Sequence, residues 1–181
     1  MTRKLIDRVR LARQGSAVER CHTTPHTQRY SVGHHSLDLI TLITLTWQAD
    51  HNGALPRAEL LVAAAFHDVP EVVVGDIPSP AKRLIPGTSL QDAEDVVLAH
   101  LGVDVGLTPE EDTWLHLCDK LELTLWCEEE SRLRGNKAFD TWGRWLLGEK
   151  EVPSSIGRRY RDRGFVAQQL TWAELKEAAA L

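Results

Sequence analysis

The chain has 181 residues, of which 43% are hydrophobic, and a formal net charge of −5; this is apolar material for one full core and the wrong charge for a general nucleic-acid binder, whose affinity rests on phosphate neutralisation by Lys and Arg. No apolar run reaches the roughly 18 residues needed to cross a bilayer, and the opening "MTRKLIDRVRLARQGS" alternates basic and apolar residues where a signal peptide is continuously apolar. A soluble, cytoplasmic protein with no membrane or nucleic-acid partner is therefore expected, and Cys21, Cys118 and Cys127, without C-x-x-C spacing, read as reduced and mostly packed thiols.

In chain order, "HSLDLITLITLTWQAD" (35–50) is apolar around most of a helical circumference, although its β-branched residues would also suit a strand. Pro56 opens a helix from Arg57 to His67, which Pro70 stops because the residue before a proline avoids the α region. Segment 88–101 ends at Gly102 as at a helix C-cap. Thr108 and Glu111 make a capping box for a long helix that stops near Gly135. Shorter helices are predicted over 137–147 and 165–179, and the basic run "GRRYRDRG" (157–164) reads as solvated surface. No linker or repeat divides the chain, so residues 1–181 are expected to form a single all-α domain.

Four residues on these elements could meet. Projected at 100° per residue, Asp119 shares a face with Leu115, Leu123 and Trp126, and an apolar-face carboxylate must shift its pKa, pair with a cation or bind a metal. His35 lies on the stripe of Leu39, Leu42 and Thr46, where a hydrogen-bonded core histidine is the ordinary occupant. His67 and Asp68 end the next helix. A D-x-x-E capping box would account for Asp68 and Glu71, but not for His67. Together His35, His67, Asp68 and Asp119 offer two imidazoles and two carboxylates, a set that suits Zn, Co, Mn, Ni or Fe better than Ca or Mg. A metal with open positions there would lower the pKa of a water and supply a nucleophile at neutral pH.

The strings "SVGHHS", "HDVPEVVVGDIPSPAK" and "CDK" resemble the HD-domain metal-dependent phosphohydrolases, all-helical proteins, and most closely their small nucleotidase branch, whose pattern is H-D-x-x-E-x-x-x-G-D-x-P-x-P-x-K. The resemblance covers about residues 18–130 and implies an HD-domain helical bundle in which the ligand histidine precedes a Ser, selecting His35 over His34, where the family usually has Glu. It makes Glu71 and Asp76 the acidic residues that orient the attacking water, hold a second metal ion or contact the sugar. Arg20, fifteen residues before His35, becomes a phosphate contact and Lys82 a second one. The family often places Trp after that Arg. This chain has Cys21, and with His22 and Thr23 it would shape the base pocket.

Within the superfamily, Val72 after Glu71 departs from the H-D-x-x-E-D of stringent-response hydrolases, and the G-Y-P of cyclic-dinucleotide phosphodiesterases is missing. The short interval from Asp68 to Asp119 favours a deoxynucleoside triphosphohydrolase, resembling phage enzymes that split dATP into deoxyadenosine and triphosphate, and a homo-oligomer is expected. The alternative is a 5′-deoxynucleotidase acting on deoxynucleoside monophosphates. A non-catalytic nucleotide-binding HD module is the reading from a different class, and it has no need for the full set of acidic residues and ligands.

Overall fold

The computed structural model describes residues 3–82, 84–85, 89–103, 105–132 and 134–136; the helices expected over 137–147 and 165–179 and the basic run at 157–164 lie outside them. Among the described residues the regular elements are seven helices: α1 (Arg3–Gly15), α2 (Val32–Asp50), α3 (Ala58–Phe66), α4 (Glu71–Val74), α5 (Ser79–Lys82), α6 (Ser89–Leu101) and α7 (Pro109–Arg132). The all-α HD-domain expectation holds. No helix among them is long and apolar enough to cross a membrane.

Segment 32–50 resolves the helix-or-strand ambiguity in favour of helix. It starts three residues earlier than expected because the Ser31 hydroxyl accepts the His34 N–H and caps it. Its threonines fit because the hydroxyls of Thr41, Thr44 and Thr46 donate to carbonyls four residues back, at 3.0, 2.8 and 2.7 Å. Leu39, Ile43 and Trp47 then face Leu60 and Ala64 of α3 and Trp114 and Leu115 of α7, the main core. The three helices that pack there are those that carry the four candidate ligands on or beside them.

Helix α3 ends at Phe66, and Pro70, at φ −55° and ψ −20°, precedes α4 as its cap instead of simply terminating α3. Helix α6 closes as expected: the Gly102 N–H donates to Ala99 O, the Val103 N–H to Leu98 O, and Gly102 takes φ +72°. Helix α1, which had no counterpart in the sequence reading, packs on α4 and α6, with Leu11 and Ala12 against Val69, Val97 and Leu101. A side chain on Gly15 would collide with Val69, its Cβ 2.7 Å from Val69 Cγ1, so glycine lets α1 end directly against the residue after Asp68.

The capping box of α7 is present: the Glu111 N–H donates to Thr108 Oγ1 at 3.2 Å and the Thr108 N–H to Glu111 Oε2 at 2.8 Å. Glu111 also receives a fork from Arg57, whose Nε and Nη2 lie 2.7 Å from its two oxygens. That hydrogen bonding outweighs burial and holds the Glu111 carboxyl down to about 2. Thr108→Ala is expected to cost about 1 kcal/mol and to lower Tm by about 2–4 °C, measured by calorimetry, without altering metal binding.

Candidate metal centre

His35 projects from the first turns of α2 and is fully buried, His67 and Asp68 follow the last turn of α3, and Asp119 lies in the middle of α7. The Nε2 atoms of His35 and His67 are 3.3 Å apart. Asp68 Oδ2 lies 3.5 Å from the first and 3.4 Å from the second. Asp119 Oδ1 is 3.4 Å from His35 Nε2 and 4.0 Å from His67 Nε2.

These spacings suit a shared divalent ion, because donors about 2.0–2.2 Å from one centre sit about 3.0–3.5 Å from each other. The tautomers point the same way. His67 Nδ1 lies 3.0 Å from Ala64 O, a carbonyl that can only accept, so the proton is on Nδ1 and the Nε2 lone pair faces the centre. His35 Nδ1 likewise faces Glu122 Oε2. Two lone pairs at 3.3 Å repel unless a cation lies between them, so the residues present fit a metal. His35, His67 and Asp68 form the tightest group, and Asp119 stands beside it with its other oxygen 2.8 Å from Lys120 Nζ.

The electrostatics keep these groups ready to ligate. Burial pushes the His67 imidazole below its ordinary pKa against the pull of Asp68 and Asp119, so it stays neutral. Burial alone would raise the Asp68 and Asp119 carboxyls. Their neighbours reverse that, the His67 ring and the Arg20 guanidinium foremost at Asp68 and the Lys120 ammonium foremost at Asp119, and both lie below the usual carboxylate range.

Arg20 is drawn inward to these carboxylates. Its Nη1 is 2.5 Å from Asp68 Oδ2 and its Nη2 is 4.0 Å from Asp119 Oδ1, while its Nε is buried without a hydrogen-bond partner. The guanidinium also lies over the Tyr30 ring, 5.3 Å from the centroid. Burial would lower its pKa, but Asp68, Tyr30 and Asp119 outweigh burial and keep it charged. The buried-ion-pair explanation of Asp119 and the metal explanation thus coexist: Arg20 supports the rim of a site whose interior the two imidazoles line.

Glu71 is buried, and its Oε2 has no hydrogen-bond partner. The capping box that would have explained it does not form, because the Glu71 N–H donates to the backbone oxygen of Asp68 while the Asp68 side chain goes to Arg20. Burial, reinforced by Asp68 and Asp76 and opposed by Arg20 and Lys82, pushes the Glu71 carboxyl up to about 8.

The remaining expected residues are spread around this centre. Asp76 Oδ2 accepts the Cys21 N–H at 2.7 Å and stands 3.6 Å from His22 Nδ1, so it ties down the loop that carries Arg20. That tie holds Cys21 at φ +55°, in the left-handed region unusual for a side chain larger than glycine. Burial raises the Cys21 thiol to about 12, too high for a nucleophile. Thr23 is exposed on the same loop, and Lys82 is exposed on α5, close enough for its charge to act on Glu71 and Glu94. His34 is exposed and faces Asp38 at 3.9 Å, away from the group formed by His35, His67 and Asp68.

Two residues of the site were not anticipated. Glu122 and Tyr30 lie behind His35, and the Tyr30 hydroxyl donates to Glu122 Oε2 at 2.5 Å. Glu122 follows Asp119 by three residues and so shares its helical face, the one signal that could have found it.

Residues 10–101, just over half of the chain, match the model of the YfbR-like 5′-deoxynucleotidases. The match stops before α7, so Asp119 joins the site by geometry. Among solved structures, the chain resembles the PH0347 protein from Pyrococcus horikoshii OT3, at 18% identity and a TM-score of 0.64 over 87% of this chain and 95% of that one. A conserved hypothetical protein from Pyrococcus furiosus is 21% identical with a TM-score of 0.62 over 80% of this chain and 94% of that one. At such identities these two neighbours speak for the fold alone. No curated protein matches significantly. Fold, ligand spacing and sequence pattern agree, and the chain belongs to the YfbR-like 5′-deoxynucleotidase family of HD-domain phosphohydrolases.

Proposed function

We propose that this metal-dependent nucleotide phosphohydrolase is a 5′-deoxynucleotidase, converting deoxynucleoside monophosphates to deoxynucleosides and orthophosphate. The observation that carries the reading is the pair of buried Nε2 atoms 3.3 Å apart beside Asp68, Asp119 and the Arg20 guanidinium: a cation site with a fixed positive group at its edge. The family match outweighs the lean toward triphosphates drawn from the short Asp68–Asp119 interval.

In this reading His35, His67, Asp68 and Asp119 would hold one divalent transition metal, which would supply Lewis acidity and a nucleophile at neutral pH. Arg20 holds charge on the phosphate, whose oxygens match the guanidinium fork, and Lys82 adds a second positive group from α5. Glu71 Oε2, without a partner in the protein, acts in the ionised form of its carboxyl, accepting the proton of the attacking water and returning it to the 5′-oxygen as the P–O bond breaks. Asp76 holds the Arg20–Cys21 backbone in place through its bond to the Cys21 N–H. Cys21, His22 and Thr23 border Arg20 on that loop and are assigned to the base side.

The test is a panel of deoxynucleoside mono-, di- and triphosphates, with orthophosphate and triphosphate resolved by ion exchange. Monophosphates should turn over and release orthophosphate, and Arg20→Ala should impair all bases alike by about 10²-fold, as loss of a charge-stabilising donor does. Release of intact triphosphate from dATP, with monophosphates inert, would transfer the assignment to the triphosphohydrolase.

A further inference from the structure

We infer that Glu122 is the positioning residue of the metal centre: its carboxylate holds the proton of His35 on Nδ1 and thereby presents the Nε2 lone pair to the ion. The inference rests on the proposed function only in sharing its metal site.

His35, Tyr30 and Glu122 are all buried, with 0%, 0% and 3% of their surface exposed, so each needs a partner inside the protein. Oε2 of Glu122 serves both others: it receives the Tyr30 hydroxyl at 2.5 Å and faces His35 Nδ1. A carboxylate can only accept, which leaves the His35 proton on Nδ1. The Nε2 lone pair then points to His67 Nε2, Asp68 and Asp119, at 3.3, 3.5 and 3.4 Å.

Glu122 is itself well fixed. It shares one face of α7 with Asp119, three residues before, and Trp126, four residues after. Trp126 stacks on Tyr30 with ring centroids 4.2 Å apart and planes inclined by 13°, which pins the Tyr30 hydroxyl on the Glu122 oxygen. One helix thus delivers a candidate ligand, the group that orients another ligand, and the anchor of the second hydrogen bond. The other imidazole is oriented independently, by the Ala64 carbonyl. A backbone acceptor cannot be removed by substitution, whereas Glu122 can.

The experiment uses the full chain, stripped with EDTA and titrated with Co2+ in a calorimeter with no nucleotide present. Glu122→Met keeps the volume and removes the acceptor, and Glu122→Gln keeps an acceptor. Co2+ affinity should fall about 10- to 100-fold in Glu122→Met, the range for loss of an outer hydrogen bond to a metal-binding histidine, and be largely restored in Glu122→Gln. In the metal-free proteins, 15N-histidine spectra should show His35 protonated on Nδ1 in the native chain and in Glu122→Gln, and a population protonated on Nε2 in Glu122→Met. If Glu122→Met does not fold, the 15N-histidine spectrum of the native metal-free chain carries the test: His35 protonated on Nε2 there overturns the inference. Unchanged affinity in both variants overturns it as well, as does a loss that glutamine does not restore and that follows Tm of the metal-free protein. Since no turnover is measured, failure of the nucleotidase assignment leaves this result standing, and the reverse holds too.

Discussion

Asp68→Asn should lower kcat/KM by about 10³-fold or more, because a metal's charge stabilisation is worth several kcal/mol and each 1.36 kcal/mol is a decade in rate. The substitution keeps the shape of the side chain and removes its charge. Asp68 Oδ2 lies within 3.5 Å of the Nε2 atoms of both imidazoles, at 3.5 and 3.4 Å, so the amide leaves the centre with one carboxylate instead of two. It also strands Arg20, whose remaining candidate partner at the centre is Asp119 at 4.0 Å. Breaking a buried ion pair from one side costs about 3–5 kcal/mol, so Tm should fall as well. Metal content measured well below the lowered Tm separates the two effects, and an Asp68→Asn protein that keeps its ion and its rate would remove Asp68 from the ligand set.

Glu71→Gln should reduce kcat by about 10²- to 10⁴-fold, the range for a general acid or base, with KM little changed. Its effect on stability should have the opposite sign and should depend on pH. In the metal-free protein the folded Glu71 carboxyl titrates at about 8 instead of 4.5, chiefly through burial. Between those values the native state holds a proton that the unfolded chain has released, so this group's contribution to stability is fully present at low pH and is lost as pH rises through about 8. Glutamine never ionises, so Tm of Glu71→Gln relative to the native chain should climb between pH 5 and pH 9. A capping residue would behave otherwise: its loss would lower Tm by a similar amount at every pH in that window and leave the rate nearly intact. Melting curves and initial rates on the same two proteins distinguish these outcomes.

The local signals in this chain survive folding where they depend only on neighbours along the chain. The Thr108–Glu111 box, the close of α6 at Gly102 and the inward face of α7 are visible in the residues because each involves partners within a few positions. So is the candidate ligand set, because the H-D pair, the inward His35 and the inward Asp119 share a chemistry that no apolar core requires. Segment 35–50 was ambiguous because β-branched residues suit both helix and strand, and packing against α3 and α7 decided it. Helix α1 is hard to read because basic residues alternate with apolar ones along "MTRKLIDRVRLARQGS", and Leu5, Ile6 and Val9 remain partly exposed in the fold.

What the sequence by itself determined is therefore the all-helical class, the caps at Thr108–Glu111 and Gly102, and which side chains are candidates to bind a metal. What only the tertiary structure decided is how those side chains are oriented and which polar groups support them. Glu71 looked like half of a capping box until Arg20, 48 residues away in the chain from Asp68, took the Asp68 carboxylate and left Glu71 Oε2 buried without a partner. Asp76 reached the Cys21 backbone across 55 residues, and Glu122 reached His35 across 87. Such contacts carry no local signal, since helical periodicity states which face a residue occupies and not what the facing element offers. A carboxylate's role here follows from which donors the fold brings to it, and that is settled by the packing of α2, α3 and α7 and by the loops that carry Arg20 and Asp76.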